Sequence, residues 1–105
     1  MLSEQEFRVK SDEALTDARH QLLALADEAG FEVELQNGVL QVIFEDPSPA
    51  KFVISPNAPV RQIWLSAMSR SFKLAWSPEA SGFVLDGETL QELVTRLAGQ
   101  HLARN

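Results

Sequence analysis

The stretch Arg61-Gln62-Ile63-Trp64-Leu65-Ser66 decides how this chain folds. Apolar and polar residues alternate one by one. It therefore reads as a β-strand with Ile63 and Leu65 toward a core and Gln62, Trp64 and Ser66 on the other face. The aliphatic pair already fills the core side. A tryptophan beside glutamine and serine is then either the cover of a second, smaller apolar patch or an aromatic anchor shown to a partner.

Upstream, Phe31, Val33 and Leu35 alternate with Glu32, Glu34 and Gln36, Asn37-Gly38 supplies a type I′ hairpin turn, and Val39-Leu40-Gln41-Val42-Ile43-Phe44 returns as a second strand. Glu45-Asp46-Pro47-Ser48-Pro49 is a loop, 51–55 a short strand, and Pro56-Asn57-Ala58-Pro59 a turn before the strand at 60–67. Downstream, strands are expected at 72–76, with Trp76 half-buried at its end, and at 83–85. A helix flanks the sheet at each end. The first, 4–29, opens with the capping box Ser3-x-x-Glu6 and stops at Gly30. Phe7, Ser11, Ala14, Ala18, Leu22, Leu25 and Ala29 recur at helical steps and form its buried stripe with Leu15 and Ala26. The second, 89–102, turns Leu90, Leu93, Val94, Leu97 and either His101 or Leu102 inward, and Gly99 weakens its last turn. Helix, antiparallel meander, helix implies an α+β fold. Its N- and C-terminal helices cover one face of an antiparallel sheet of five to six strands, as a two-layer sandwich. The other face is left to water. Trp64 stands on it with Gln62 and Ser66 and, from neighbouring segments, Asn57, Arg61 or Lys73.

One hundred and five residues, 45% hydrophobic and 23% charged, suffice for one domain with a single core. The lack of cysteine excludes a disulfide framework, a thiolate zinc site and a Cys-held cluster, so any metal must be held by oxygen or imidazole. Charge is uneven along the chain. Residues 1–34 carry nine acidic side chains against three basic ones and residues 35–105 six of each, so the net charge of −6 arises in the first third. This argues against nucleic acid or an anionic membrane as partner and favours cations or basic proteins. The acidic opening Met1-Leu2-Ser3-Glu4-Gln5-Glu6 has neither the basic nor the apolar region of a signal peptide, and cytoplasmic residence in a bacterium is the simplest expectation.

Gln62-Ile63-Trp64-Leu65, with Pro59 before it and the Asn37-Gly38-Val39 turn behind it, resembles the frataxin family, whose sheet carries a Gln-(Ile/Val)-Trp-Leu motif. The resemblance covers nearly the whole chain, as one frataxin-like domain over 1–105. It implies an α-β-α sandwich with two functional surfaces. One is an acidic ridge along the first helix and the adjoining strand edge that binds ferrous or ferric iron weakly through carboxylates. Asp12 and Glu13 match acidic positions of the family helix and Glu32 one at the first strand, with Asp17, His20, Asp27 and Glu28 as further donors. The other surface is the sheet face that contacts the cysteine desulfurase and the scaffold protein of iron-sulfur cluster assembly. Asn57, Arg61, Gln62 and Trp64 match it, Ser66 shares the face, and Lys73 stands where a basic residue or His is usual. The family also implies a monomer in the absence of iron.

Where relatives keep a dense run of acids, this chain has Arg19-His20-Gln21-Leu22-Leu23-Ala24-Leu25-Ala26, and acids resume only at Asp27-Glu28. The ridge is thinned. Hard iron ions still suit carboxylate oxygen, and His20 adds a nitrogen one turn from Asp17. No three of these groups close a cage on one helix, so a site here is exposed, water-rich, weak and poorly selective. Both histidines read as solvated, His20 on the polar helix face and His101 near a helix end. The five glycines are scattered without a phosphate loop, and no Glu-x-x-His or His-x-x-x-His spacing offers a di-iron site. Catalysis is confined at most to slow oxidation of ferrous iron at the ridge. The expected function is an iron-binding protein that docks on the desulfurase complex and modulates cluster assembly, as donor or regulator. The alternative is an iron-independent regulator that works through the Trp64 face.

Overall fold

In the computed structural model, which describes residues 2–103, the chain begins with α1 (Glu4–Ala29) and forms β1 (Glu32–Gln36), β2 (Val39–Phe44) and β3 (Ala50–Asn57). It continues through β4 (Gln62–Ala67), β5 (Arg70–Ser77), β6 (Gly82–Leu85) and β7 (Glu88–Thr89), and ends with α2 (Leu90–Leu102). The seven strands lie in chain order as one sheet, each antiparallel to the next. Both helices pack on one face and touch each other.

The α+β sandwich is therefore as expected, with one strand more than the sequence predicts. β7 adds a two-residue rung beside β6, too short for any alternation to show, and Thr89 doubles as the cap of α2. β3 runs on through Pro56, which faces Ile63, where the sequence predicts a turn. The strand predicted from 60 starts at Gln62, because Ala58–Val60 winds into one 3-10 turn and Arg61, at φ 53°, ends it.

Capping fixes where the helices begin. Ser3 Oγ accepts the Glu6 N–H at 3.1 Å while the Glu6 carboxylate accepts the Ser3 N–H at 2.9 Å, and Gly30 closes α1 at φ 84°. Of the predicted stripe, Phe7, Ser11, Ala14, Leu15, Ala18, Leu22 and Ala26 are buried, Leu25 is half-buried and Ala29 is exposed beside the cap. Ser11 tolerates burial because its hydroxyl donates to the Arg8 carbonyl at 3.1 Å. Opposite α1, Phe83 meets Phe7 edge-on at 5.6 Å and Trp76 at 5.4 Å, and Trp76 is half-buried as predicted.

At the other end of the core, Phe44 packs on Phe31, Phe52 and His101 with ring centroids 4.7, 5.1 and 4.5 Å away. Of the two residues expected to turn inward at the end of α2, His101 is buried, at 2% exposed, and Leu102 is half-buried, so the inward reading of His101 holds and the solvated one is corrected. Its Nε2–H donates to the Ser48 carbonyl at 3.0 Å. The physical reason is that the β2–β3 loop brings a backbone acceptor against the last turn of α2, so a polar ring is buried with its donor satisfied.

α2 is tied to β7 by Arg96, whose Nε and Nη2 donate to the two Glu88 carboxylate oxygens at 2.8 and 2.9 Å. The guanidinium holds the Glu88 carboxyl below its ordinary value. A folded-state value below the unfolded one stabilises the fold above the unfolded value, and that gain is lost as pH falls through the folded one. Glu88→Gln is therefore expected to lower stability slightly at neutral pH, since the pair is exposed. Its urea midpoint should converge on the parent's as pH drops below about 4.

Candidate functional site

β4 is the middle strand of the seven and lies between β3 and β5 with a ladder on each side. The period of two buries Ile63 and Leu65 and sends Gln62, Trp64 and Ser66 outward. Trp64 is 38% exposed, the one aromatic among the exposed large hydrophobic residues described. The indole is held from two sides. Its Nε1–H donates to Gln62 Oε1 at 2.9 Å, and Lys73 Nζ, from the directly paired position on β5, lies 4.9 Å from the ring centroid. A ring fixed before contact loses less rotamer entropy when a partner covers it.

The other predicted face residues fall around this centre. Asn57 is half-buried and pairs with Gln62. Ser66 is exposed between Val53 and Ser71 on the neighbouring strands. Arg61 lies just before β4, and its side chain folds back onto its own turn. Its guanidinium donates to the Ala58 carbonyl, and its Nε is buried with no hydrogen-bond partner among the described residues.

Asp12, Glu13, Asp17 and His20 are exposed along α1, as are Asp27 and Glu28 near its end and Glu32 on β1. They are strung out rather than gathered: at the helical rise, Asp12 and Glu28 lie about 24 Å apart along the axis. Among the described residues no three His, Cys, Asp or Glu side chains come together where they could hold a metal ion. Glu13 and Asp17, one turn apart, line a shallow groove of about 220 Å³ with Lys10, Trp76 and Gln91. Lys10 occupies part of it, with Nζ 3.6 Å from the Glu13 carboxylate and 5.6 Å from the Trp76 ring centroid. These hard oxygen donors can take a ferrous or ferric ion only with water completing its shell.

What the sequence does not reveal is that Lys73 lies over Trp64. Alternation alone turns Lys73 outward, but its pairing with Trp64 depends on a two-residue turn, Met68-Ser69, between the paired Ala67 and Arg70. Both turn residues take positive φ, 54° and 63°, a geometry usually announced by Asn-Gly or Asp-Gly. Without that signal the β4–β5 register could not be read.

Two helices over one face of an antiparallel sheet, with an ordered and exposed tryptophan on the other, define an open-faced α/β sandwich that presents a rigid surface. The sequence model of the frataxin-like domain matches residues 1–104. Among similar proteins, the iron-sulfur cluster assembly protein CyaY of Pseudomonas putida (strain GB-1) is 35% identical over 97 residues, 84% of this chain and 86% of its own length. The protein of the same name from Pseudomonas syringae pv. tomato is 38% identical over 88 residues, 79% of this chain and 78% of its own. A solved frataxin from Psychromonas ingrahamii, of the CyaY protein family, superposes with a TM-score of 0.63 at 17% identity, covering 94% of this chain and 88% of that one. The chain belongs to the frataxin-like family and is of the bacterial CyaY type. Among the described residues no helix is long and apolar enough to cross a membrane.

Proposed function

We propose that this chain is a non-enzymatic component of bacterial iron-sulfur cluster assembly. It docks through its open sheet face on a cysteine desulfurase and its scaffold protein and modulates their work in the cytoplasm. Relatives named for iron-sulfur cluster assembly support the process. The observation that carries the docking surface is Trp64, exposed on the central strand yet fixed by Gln62 and Lys73. An immobilised, solvent-facing aromatic on a rigid platform has the character of a binding hot spot. The acidic α1 would steer a basic partner surface, an attraction that weakens as salt rises. Trp64→Ala is expected to leave the circular dichroism spectrum unchanged and to weaken binding to the desulfurase about 30-fold, equal to about 2 kcal/mol. Unchanged affinity would assign Trp64 to local packing.

Iron is the second element of this reading, carried weakly as cargo on the exposed carboxylates of α1. The spread of those donors, and the engagement of Glu13 with Lys10, favour the alternative of an iron-independent regulator. An anaerobic ferrous titration followed by two-dimensional amide NMR separates the two. Shifts or broadening at Asp12, Glu13, Asp17 and His20 would keep iron as cargo on α1. Silence at about millimolar metal would leave a regulator that works through Trp64 alone.

A further inference from the structure

Beside Trp64 the open face is indented. Val53, Ser55, Trp64, Ser66, Ser71 and Lys73 line a cleft of about 400 Å³. The ladders place them in two adjacent rows, Ser55–Trp64–Lys73 and Val53–Ser66–Ser71. At strand spacing these rows are about 7 Å apart. Lys73 is the sole charged residue in the lining, and three serine hydroxyls supply the rest of its hydrogen-bonding side chains apart from the indole N–H. That indole N–H is already engaged by Gln62. Gln62 thus sets the plane of the ring, and the ring face in turn holds the Lys73 ammonium over the cleft.

We propose that this cleft receives one carboxylate of the docking partner, the side chain of an Asp or Glu. Lys73 supplies the charge, the serine hydroxyls donate, and Gln62 and Trp64 are positioning residues for the ammonium. The inference rests on the sheet face being the docking surface and adds the partner chemistry it selects. One lysine and neutral hydroxyls match a monoanion. A phosphate dianion would call for more charge than one lysine supplies, and both helices lie on the other face of the sheet, so no helix N-terminus opens onto the cleft. The two faces then demand opposite signs. A partner that offers basic groups to α1 and an acidic group to the sheet can dock in one orientation only, which is how charge pattern fixes register.

The test uses the intact, nitrogen-15-labelled protein and two small probes, N-acetyl-glutamate N-methylamide and its neutral glutamine counterpart, at constant ionic strength. Concentrations run to about 0.1 M, the range in which a single charge-assisted contact saturates. The expected result is a saturable shift of the Trp64 indole resonance and the amides of Ser66, Ser71 and Lys73 with the glutamate probe. The glutamine probe should give none. Lys73→Gln should abolish the response and Lys73→Arg restore it, a rescue that a merely structural lysine would not show. Equal responses to both probes, silence from both, or an undiminished response in Lys73→Gln would overturn the proposal. Docking is read separately: a Trp64→Ala variant with parental affinity for the desulfurase removes the docking surface itself. A retained Trp64 effect with a silent glutamate probe removes only the carboxylate.

Discussion

Phe44→Ala is expected to lower the free energy of unfolding by about 4 kcal/mol, within the range for deleting a buried aromatic ring. Phe44 is 2% exposed and touches the rings of Phe31, Phe52 and His101. The lost transfer free energy of the side chain accounts for about 1.5–3 kcal/mol. The remainder is the cavity. β2 is laddered to β1 and β3 on both sides, so its backbone cannot move in to fill the gap. A domain of this size has a total stability of about 5–15 kcal/mol, so the variant should be folded but marginal. Urea unfolding at unchanged m value measures it, and a loss below about 1.5 kcal/mol would show that the ring occupies a site able to collapse.

His101→Ala comes next, with an expected loss of about 3 kcal/mol. Truncation deletes the ring packed on Phe44, which is most of the loss, and the hydrogen bond to the carbonyl of the exposed Ser48, which contributes about 0.5–1.5 kcal/mol. His101→Phe separates the two parts, because it restores volume without a donor and should recover only the packing share. Since the rings of Phe44 and His101 are in contact, the double alanine variant is expected to lose less than the two single losses combined. Strict additivity would mean that the two side chains stabilise the core independently.

The elements that could be read from the sequence are those with a local cause. Ser3 and Glu6 announce the start of α1, Gly30 its end, and Asn37-Gly38 the first hairpin, and each does what its chemistry dictates. The outward face of β4 was also legible, because alternation depends only on the strand's own residues. Features that depend on a second segment were not. The Ser48 carbonyl that accepts from His101 comes from a loop 53 residues earlier, and no helical periodicity can foresee it. The contact of Lys73 with Trp64 requires the register set by Met68-Ser69, and β7 exists only because Leu85 and Glu88 pair across a tight turn. The acidic residues of α1 were legible as exposed charges. That none of them is gathered with donors from another element among the described residues, and that Glu13 is diverted to Lys10, emerge only from the folded structure.

The sheet ends on two strands with one neighbour each, β1 and β7, and each outer edge is shut by a different device. β7 is two residues long and offers too short a template for another chain to pair with. β1 is longer, but Glu32 and Glu34 point from it to the open face, one position in two along the strand. An antiparallel approach by the β1 of a second copy would bring four carboxylates of like sign into cross-strand proximity, where such neighbours repel. The sheet that displays Trp64 so openly is thereby discouraged from pairing with a second copy through either of its end strands, and the exposed aromatic remains available for a different kind of contact.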